Sequence, residues 1–323
     1  MPRVPNPRLG YILTALSAIC SALNGVLSRY LLDDGMSPTR LAEFRSAVSA
    51  LLLIGALAAF SPRRLRIARA DILPMAWLGI AGIALVHATY YLAIERMDIG
   101  VALVIQYLAP ALLLTWAAVV HRVHAPKRLW AAVALSVAGC ALVVDAPAGT
   151  GNLDGLGVLA AIAAMVTLAI YLTASQRAGQ RYDAFTTLAY GFGFATLFWL
   201  VVQPAWTFPW ELLDSTRNVA LALGVAVIGT LVPFLLLVTA LRHLPAAKVA
   251  VVATLEPVLA SVMAWFWLDQ ALSATQITGG LVVLAAVTWV RRTPWTSSSP
   301  EATDRLPAGS TESSPPTATT PAG

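Results

Sequence analysis

The sequence predicts an all-α integral membrane protein of ten transmembrane helices, arranged as two inverted five-helix repeats with a disordered C-terminal tail. The first observation is composition: 58% of the 323 residues are hydrophobic and 11% are charged, whereas soluble domains carry about 25% charged residues. The second is a series of ten long apolar runs, and the third is a match between the two halves of the chain.

The apolar runs have the length of helices that cross a bilayer. At about 1.5 Å per residue, the run Ala246–Leu268 extends about 34 Å, which covers the hydrocarbon core. The first run is long and lacks a small-residue cleavage site, so we interpret it as a retained span. The ten runs are Leu9–Leu32, Pro38–Phe60, Ile72–Ile94, Ile99–Val120, Leu129–Val144, Gly155–Ser175, Ala184–Val202, Val219–Leu241, Ala246–Leu268 and Thr275–Val290.

The Lys and Arg residues of the connecting loops predict the orientation. With the N-terminus placed inside, fourteen of them lie on the inner side and three, Arg40, Arg96 and Arg217, lie on the outer side. Positive residues are retained in the cytoplasm. We therefore expect a multi-pass protein of the cytoplasmic (inner) membrane with both termini cytoplasmic. The net charge of +5 reports this orientation, and we expect no nucleic-acid partner.

An internal repeat emerges when the chain is aligned with itself, without a gap, so that Gly82 falls on Gly229. We name this superposition the repeat alignment. It also places Pro110 on Pro257 and keeps the apolar runs in phase. Because each half holds five spans, the halves must enter the membrane from opposite sides. Inverted repeats recur in secondary transporters, whose substrate site lies near the midplane between the halves. We expect one repeat over residues 9–145 and the second over residues 155–292.

The ninth span carries a carboxylate, Glu256, beside Pro257 near the middle of the membrane. An ionised side chain at that depth costs on the order of 3 kcal/mol, so it should face the bundle interior or a wet cavity. Pro257 and its repeat mate Pro110 remove backbone hydrogen bonds, which predicts helix breaks in the ninth and fourth spans. Glu256 could bind substrate or carry protons; alternatively, it could pair with a cation or cap the break.

Further polar side chains fall at a similar depth in neighbouring spans. Asn24 and its repeat mate Tyr171 are either cavity lining or interhelical hydrogen-bond partners. Arg45 and Lys248 are more typical of structural positions, where a long side chain pairs or reaches the interface. The predicted substrate-binding residues are Glu256, Asn24, Tyr171, Gln106, Tyr107, His87, Tyr91 and Thr254, with helix breaks at Pro110 and Pro257.

The sequence resembles the EamA family of the drug/metabolite transporter superfamily in three segments: Glu43–Leu53, Tyr90–Leu114 and Ala240–Val287. The Leu-Glu-Pro element at Leu255–Pro257, with Gln276 and Gly279 downstream, is fairly specific for that family. The resemblance covers both halves and implies ten spans in two inverted units and transport of small metabolites, often outward. In the first span, Ser21 and Ala22 replace the usual Trp-Gly pair of the family.

The predicted function is secondary transport of a small metabolite, amino-acid-like or xenobiotic, across the cytoplasmic membrane. We expect an exporter that works by alternating access around a cavity between the first, third, fourth, sixth, eighth and ninth spans. An uptake permease or an uncoupled facilitator is the alternative, and a membrane-embedded enzyme or scaffold is less favoured. The expected partners are the substrate, the bilayer and protons as the coupling ion, and a homodimer is left open.

No catalytic residue, cofactor or metal site is predicted, so the chain is not expected to be an enzyme. His121 and His124 have metal-ligand spacing but lack a third ligand. Ser, Thr and Pro make up most of the last segment, residues 293–323, which predicts a disordered cytoplasmic tail.

Overall fold

The computed structural model describes residues 5–120, 122, 125–145, 154–268 and 272–293, and this part of the chain folds into ten long helices. Nine of the described helices are long and apolar enough to cross a bilayer, and the fifth has 17 residues. The tail predicted over residues 293–323 lies outside the described residues except for Thr293, which is buried, and so does the pair His121 and His124. The helices are α1 (Pro7–Asp33), α2 (Pro38–Phe60), α3 (Arg69–Ile94), α4 (Ile99–Val119), α5 (Lys127–Val143), α6 (Gly155–Ala178), α7 (Ala184–Val202), α8 (Thr216–Ala240), α9 (Ala246–Ala253 and Leu255–Leu268) and α10 (Ala274–Arg292).

Polar residues fix where most of these helices begin. Seven helices start after a residue whose side chain accepts a backbone N–H of the first turn, which satisfies a donor that has no partner inside the helix. Ser273 and Gln276 form a reciprocal capping box at the start of α10. The seven capping residues are Asn6, Ser37, Asp98, Asp154, Asp183, Ser215 and Ser273.

The packing of the helices follows the internal repeat. The repeat alignment turns α1 into α6 and α3 into α8, so the observed contacts of α1 with α8 and of α6 with α3 are equivalent. The pairs α2 with α7 and α5 with α10 also pack closely, and the same alignment maps each pair onto itself. This is the arrangement of two five-helix units related by a pseudo-two-fold axis. The predicted fold class is confirmed.

Two close helix contacts show the repeat at the level of single residues. A Cβ atom built on Gly82 would lie 2.9 Å from the Cα of Tyr171, and one built on Gly229 would collide with the side chain of Asn24. The repeat alignment converts the first contact into the second. Both glycines lie in wider, π-helical turns, Leu78–Ala84 and Val227–Leu231, which overlap under the same alignment.

The fourth and ninth helices are interrupted at equivalent positions. The helix α4 consists of Ile99–Gln106 and Ala109–Val119, and α9 is interrupted at Thr254. Pro110 and Pro257 stand in the first turn of the second segments. Since proline lacks an N–H, the carbonyl groups of Gln106 and Ala253, one helical turn earlier, lose their usual helical donor. Both residues lie on the wall of the central cavity.

The helices α5 and α10 also approach each other closely, away from the cavity. A Cβ built on Gly139 would lie 2.9 Å from the carbonyl oxygen of Gly279, and one built on Gly279 would lie 2.7 Å from the carbonyl oxygen of Gly139. Small residues allow backbones to approach in this way, which is how membrane helices gain van der Waals contact. This close packing of α5 with α10 does not involve the wall of the central cavity.

The first and last helices meet on one side of the membrane, which we name the terminal face. The Tyr11 hydroxyl donates to the carbonyl oxygen of Val290 at 3.3 Å, and the Asn6 N–H donates to Nδ1 of His243 at 3.2 Å. The chain thus begins α1 and ends α10 on the same face, as an even number of spans requires.

Candidate functional site

A cavity of 290 Å³ lies between the two repeats, at the depth of the helix breaks. Six of the helices around it are those that the sequence analysis expected: α1, α3, α4, α6, α8 and α9. The second helix joins them through the side chain of Arg45. The wall combines charged, amide, hydroxyl and aromatic groups, a combination suited to a small polar ligand.

Seven of the eight predicted binding residues lie on this wall: Asn24, His87, Tyr91, Gln106, Tyr107, Tyr171 and Glu256. Thr254 is fully buried beside the cavity, and its hydroxyl donates to the carbonyl oxygen of Val251 at 2.6 Å. Of the two prolines, Pro110 lies on the wall, whereas Pro257 borders a separate pocket between α4, α5, α9 and α10.

Glu256 stands in the first turn of the second segment of α9, directly after the break. It is partly exposed to the cavity, and Tyr90 and Tyr107 are close enough to interact electrostatically with its carboxylate. Among the described residues, Glu256 forms no ion pair. Its carboxylate is therefore available to a ligand in the cavity.

Arg45 supplies the opposite charge to the same cavity. Its side chain is buried, with a relative exposure of 5%, and the Nε and Nη2 atoms have no hydrogen-bond partner within the described part of the chain. The nearby acid on its own helix, Glu43, instead pairs with Arg40 at 2.8 Å. Arg45 attracts Glu256 across the cavity. From the sequence, Arg45 was more typical of a structural position, although a cation inside an apolar span is also a signal of a functional site.

Aromatic rings form one side of the cavity around His87. The Nδ1–H of His87 donates to the carbonyl oxygen of Ile83 at 2.8 Å, which leaves Nε2 as the second polar atom of the ring. The His87 ring lies 6.3 Å from that of Tyr91 and 6.5 Å from that of Phe234, and Phe234 also contacts the ring of Tyr171 at 5.2 Å. These rings limit the width of the cavity.

Two amides complete the polar lining. Asn24 accepts a hydrogen bond from the Ser28 hydroxyl through Oδ1 at 3.2 Å, and Gln106 lies at the end of the first segment of α4. An amide both donates and accepts, so these side chains can bind hydroxyl or carbonyl groups of a ligand.

Lys248, the other cation that the sequence analysis singled out, lies away from this cavity. It is buried, and its ammonium group donates to the carbonyl oxygen of Thr293 at 2.8 Å, just after the end of α10. A cation at the C-terminus of a helix stabilises the exposed carbonyl groups there. The contact fits the structural role that the sequence favoured.

A second cavity of 730 Å³ lies between α3, α4 and α6 towards the terminal face. It shares no lining residue with the central cavity. Its wall is mainly apolar and includes Trp77 and Trp116. At its rim, Asp71 pairs with Arg181 at 2.7 Å and accepts a hydrogen bond from the Tyr182 hydroxyl at 2.7 Å. That hydrogen bond raises the pKa of Tyr182 above its ordinary value. None of the predicted site residues lies here.

The fold and the central cavity together define a membrane transporter built from two inverted repeats. The family comparison agrees: the EamA-like transporter family matches residues 8–145 and 155–292. The chain therefore belongs to the EamA-like transporter family, within the drug/metabolite transporter superfamily, and the resemblance noted in the sequence is confirmed.

Several curated proteins are similar to this chain at low identity. The threonine/homoserine exporter RhtA of Salmonella typhimurium strain SL1344 is 27% identical over 279 residues, covering 85% of this chain and 88% of the relative. RhtA of Escherichia coli strain K12 is 26% identical over 242 residues, covering 75% and 78%. The uncharacterized inner membrane transporter YicL of Salmonella typhimurium strain LT2 is 24% identical over 198 residues, covering 59% and 65%.

The fold also matches a solved crystal structure. That structure superposes with a TM-score of 0.73 over 87% of this chain and 95% of the other, at 16% sequence identity. At this identity the likeness concerns the fold alone.

Proposed function

We propose that this chain exports a small amino-acid-like metabolite across the cytoplasmic membrane by alternating access. The observation that carries the proposal is the central cavity, which holds one cation, Arg45, and one carboxylate, Glu256, between the two repeats. Ligand cavities usually measure about 300–1,000 Å³. A volume of 290 Å³ therefore favours a small solute over a bulky xenobiotic.

The relatives support the class of substrate and the direction. RhtA of both enteric species is named as an exporter of threonine and homoserine, which are small hydroxy amino acids. Transfer of these properties to this chain is a proposal, since the identities are only 27% and 26%.

The distribution of basic residues supports a cytoplasmic terminal face. Arg291 and Arg292 end α10, Arg177 lies in the last turn of α6, and Arg63 and Arg64 follow α2, all on that side. Positive residues near span ends are retained in the cytoplasm. Export then means that substrate enters the central cavity from the terminal face and leaves from the opposite one.

A transport assay with the purified protein in liposomes tests the proposal. We expect liposomes loaded with L-threonine or L-homoserine to release the amino acid when a proton gradient is imposed across the membrane. Control liposomes without protein give the passive leak. A release rate that is the same with and without the gradient or an ionophore would favour the uncoupled facilitator. Accumulation of the amino acid in cells that express the protein would favour the uptake permease. Absence of any amino-acid flux would refute the substrate class.

Proton coupling is assigned to Glu256 in this proposal. A carboxylate beside a helix break at mid-membrane can hold either a proton or the ammonium group of a substrate, and exchange of one for the other couples their movements. In the variant Glu256→Gln, we expect loss of gradient-driven export at neutral pH with the fold intact.

The matched control for this variant is Glu211→Gln. Glu211 is an exposed carboxylate in the short helix Trp210–Leu213 and does not belong to the cavity wall. The control should transport like the unaltered protein. Full gradient-driven activity of Glu256→Gln would end the proton proposal.

A further inference from the structure

We infer that Arg45 binds the carboxylate of the substrate while Glu256 binds its ammonium group, so that the site selects zwitterionic α-amino acids. This inference rests on the proposed function, because it names the groups that recognise the substrate in the same cavity. It assigns a binding role to Arg45, whose position in the sequence is more typical of a structural residue.

The unpartnered atoms of Arg45 form the edge of the guanidinium that suits a carboxylate. Nε and Nη2 point their N–H groups in parallel along one side of the group, and a carboxylate accepts both through its two oxygens. In this chain it is these two atoms that are buried without a hydrogen-bond partner in the described part of the structure. Leaving buried donors of a charged group unpaired is costly. A ligand carboxylate removes that cost.

No carboxylate in the described part of the chain pairs with Arg45. Glu43, two positions away on the same helix, is held by Arg40, and the two side chains of that pair are only 5% and 15% exposed. Glu256 lies on the same cavity wall as Arg45, yet within the described residues the two form no ion pair. Because both side chains line a cavity of 290 Å³ without forming an ion pair, a molecule that carries both charges can lie between them.

The two charges break the symmetry of the repeat. The repeat alignment places Phe192 at the position of Arg45 and Ala109 at the position of Glu256, and both of these equivalents are fully buried. Phe192 packs on the ring of Phe234 at 5.2 Å. The cavity therefore has one cationic and one anionic position, each from a different repeat. A zwitterion that bridges them has a single orientation and contacts both halves of the transporter.

The test uses binding to the full-length protein in lipid nanodiscs, measured by calorimetry, with L-threonine, L-homoserine, L-serine and L-alanine as probes. Each is compared with its amide, which lacks the carboxylate, and with its deamino acid, which lacks the ammonium group. We expect the unaltered protein to bind the zwitterions at least about tenfold more tightly than either analogue, as loss of a charge-assisted pair predicts.

Substitutions then assign each charge to its residue. Arg45→Gln should bind the amide as tightly as the amino acid. Glu256→Gln should bind the deamino acid as tightly as the amino acid. Arg45→Lys keeps the charge but loses the parallel donors, and we expect it to retain the preference for the carboxylate with affinity reduced about tenfold. Arg63→Gln, which removes an exposed cation just after α2 and outside the cavity, should keep the full preference.

The outcomes separate this inference from the proposed function. If no amino acid binds the unaltered protein, both fail. If amino acids bind but Arg45→Gln still prefers them over their amides by the same ratio, the proposed function survives and the role of Arg45 is refuted. If Arg45→Gln does not fold, Arg45→Lys provides a separate criterion: an affinity for L-threonine unchanged from that of the unaltered protein refutes the inference.

Discussion

The contact of α5 with α10 gives a stability prediction that is independent of the transport site. In the variant Gly139→Ala, the new Cβ would lie 2.7 Å from Cγ2 of Val283 and 2.9 Å from the carbonyl oxygen of Gly279. Since Cβ atoms are essentially never found this close, the two helices must separate. Overpacking of this kind costs about 1–3 kcal/mol, and replacing glycine inside a helix returns about 0.5–1 kcal/mol. The difference of these two contributions is a net loss of about 0–2.5 kcal/mol, and we expect a value near the middle of that range, about 1 kcal/mol.

The reciprocal variant has a related effect. In Gly279→Ala, the Cβ would lie 2.6 Å from the backbone nitrogen of Val143 and 2.7 Å from the carbonyl oxygen of Gly139. The double variant should lose less stability than the sum of the two single losses. The reason is that both substitutions force the same separation of α5 from α10. Once one substitution has separated the helices, the other costs less stability.

Thermal unfolding in one detergent, at one scan rate, measures these changes as shifts of the apparent midpoint. The matched control is Gly55→Ala, because a Cβ on Gly55 meets no atom within 4 Å. It should be neutral or slightly stabilising. Binding of L-threonine should be unaltered in every folded variant, since none of these glycines lines the central cavity. A midpoint for Gly139→Ala equal to that of Gly55→Ala would refute the packing argument.

Two further predictions concern residues outside the cavity. Tyr190→Phe removes the hydrogen bond of its hydroxyl to the carbonyl oxygen of Leu65 at 2.6 Å, and it should lower stability by about 1 kcal/mol without altering transport; an unchanged unfolding midpoint would contradict this. Lys248→Met loses the contact with Thr293 but also removes a buried charge, so transport in liposomes should persist with a small change in stability. Loss of transport by this variant with the fold intact would give Lys248 a functional role.

The architecture could be predicted because hydropathy and the repeat both act over long stretches of sequence. A span of about 20 apolar residues has few alternatives to a membrane helix. The repeat then relates the positions of the halves, and the equivalent contacts of Gly82 with Tyr171 and of Gly229 with Asn24 show that the repeat alignment holds in three dimensions. The partners in those contacts could not be predicted, since spacing does not determine which helices meet.

The position of Thr254 beside the cavity, rather than on its wall, has a simple geometric reason. Ala250, Ala253 and Glu256 follow each other at every third position and share the face of α9 that lines the cavity. Thr254 lies about 100° around the helix from Ala253, which turns it into the packed interior. Its repeat equivalent Tyr107 does reach the cavity, because the break in α4 spans one residue more and the side chain is longer.

Sequence alone could not place Arg45 on the cavity wall, because it shows an acid two positions away and cannot tell which cation that acid binds. In the structure Glu43 forms an ion pair with Arg40. The Nε and Nη2 atoms of Arg45 are therefore buried without a hydrogen-bond partner among the described residues. The same pair explains why Arg40, counted among the three outer cations, is not free at the surface: its side chain is 15% exposed.

In the proposed mechanism, the symmetric backbone and the asymmetric charges have different roles: the first concerns the two states of the transporter, and the second concerns substrate binding. Equivalent helix breaks and π-helical turns in the two repeats allow the inward-open and outward-open states to be similar in energy, which alternating access requires. A charge pair repeated in both halves would double the cation and the carboxylate in one small cavity. One charge from each repeat avoids this duplication. A substrate that binds both Arg45 and Glu256 favours closure of the two halves around it, because each half contributes one contact and both contacts form only when the halves approach each other.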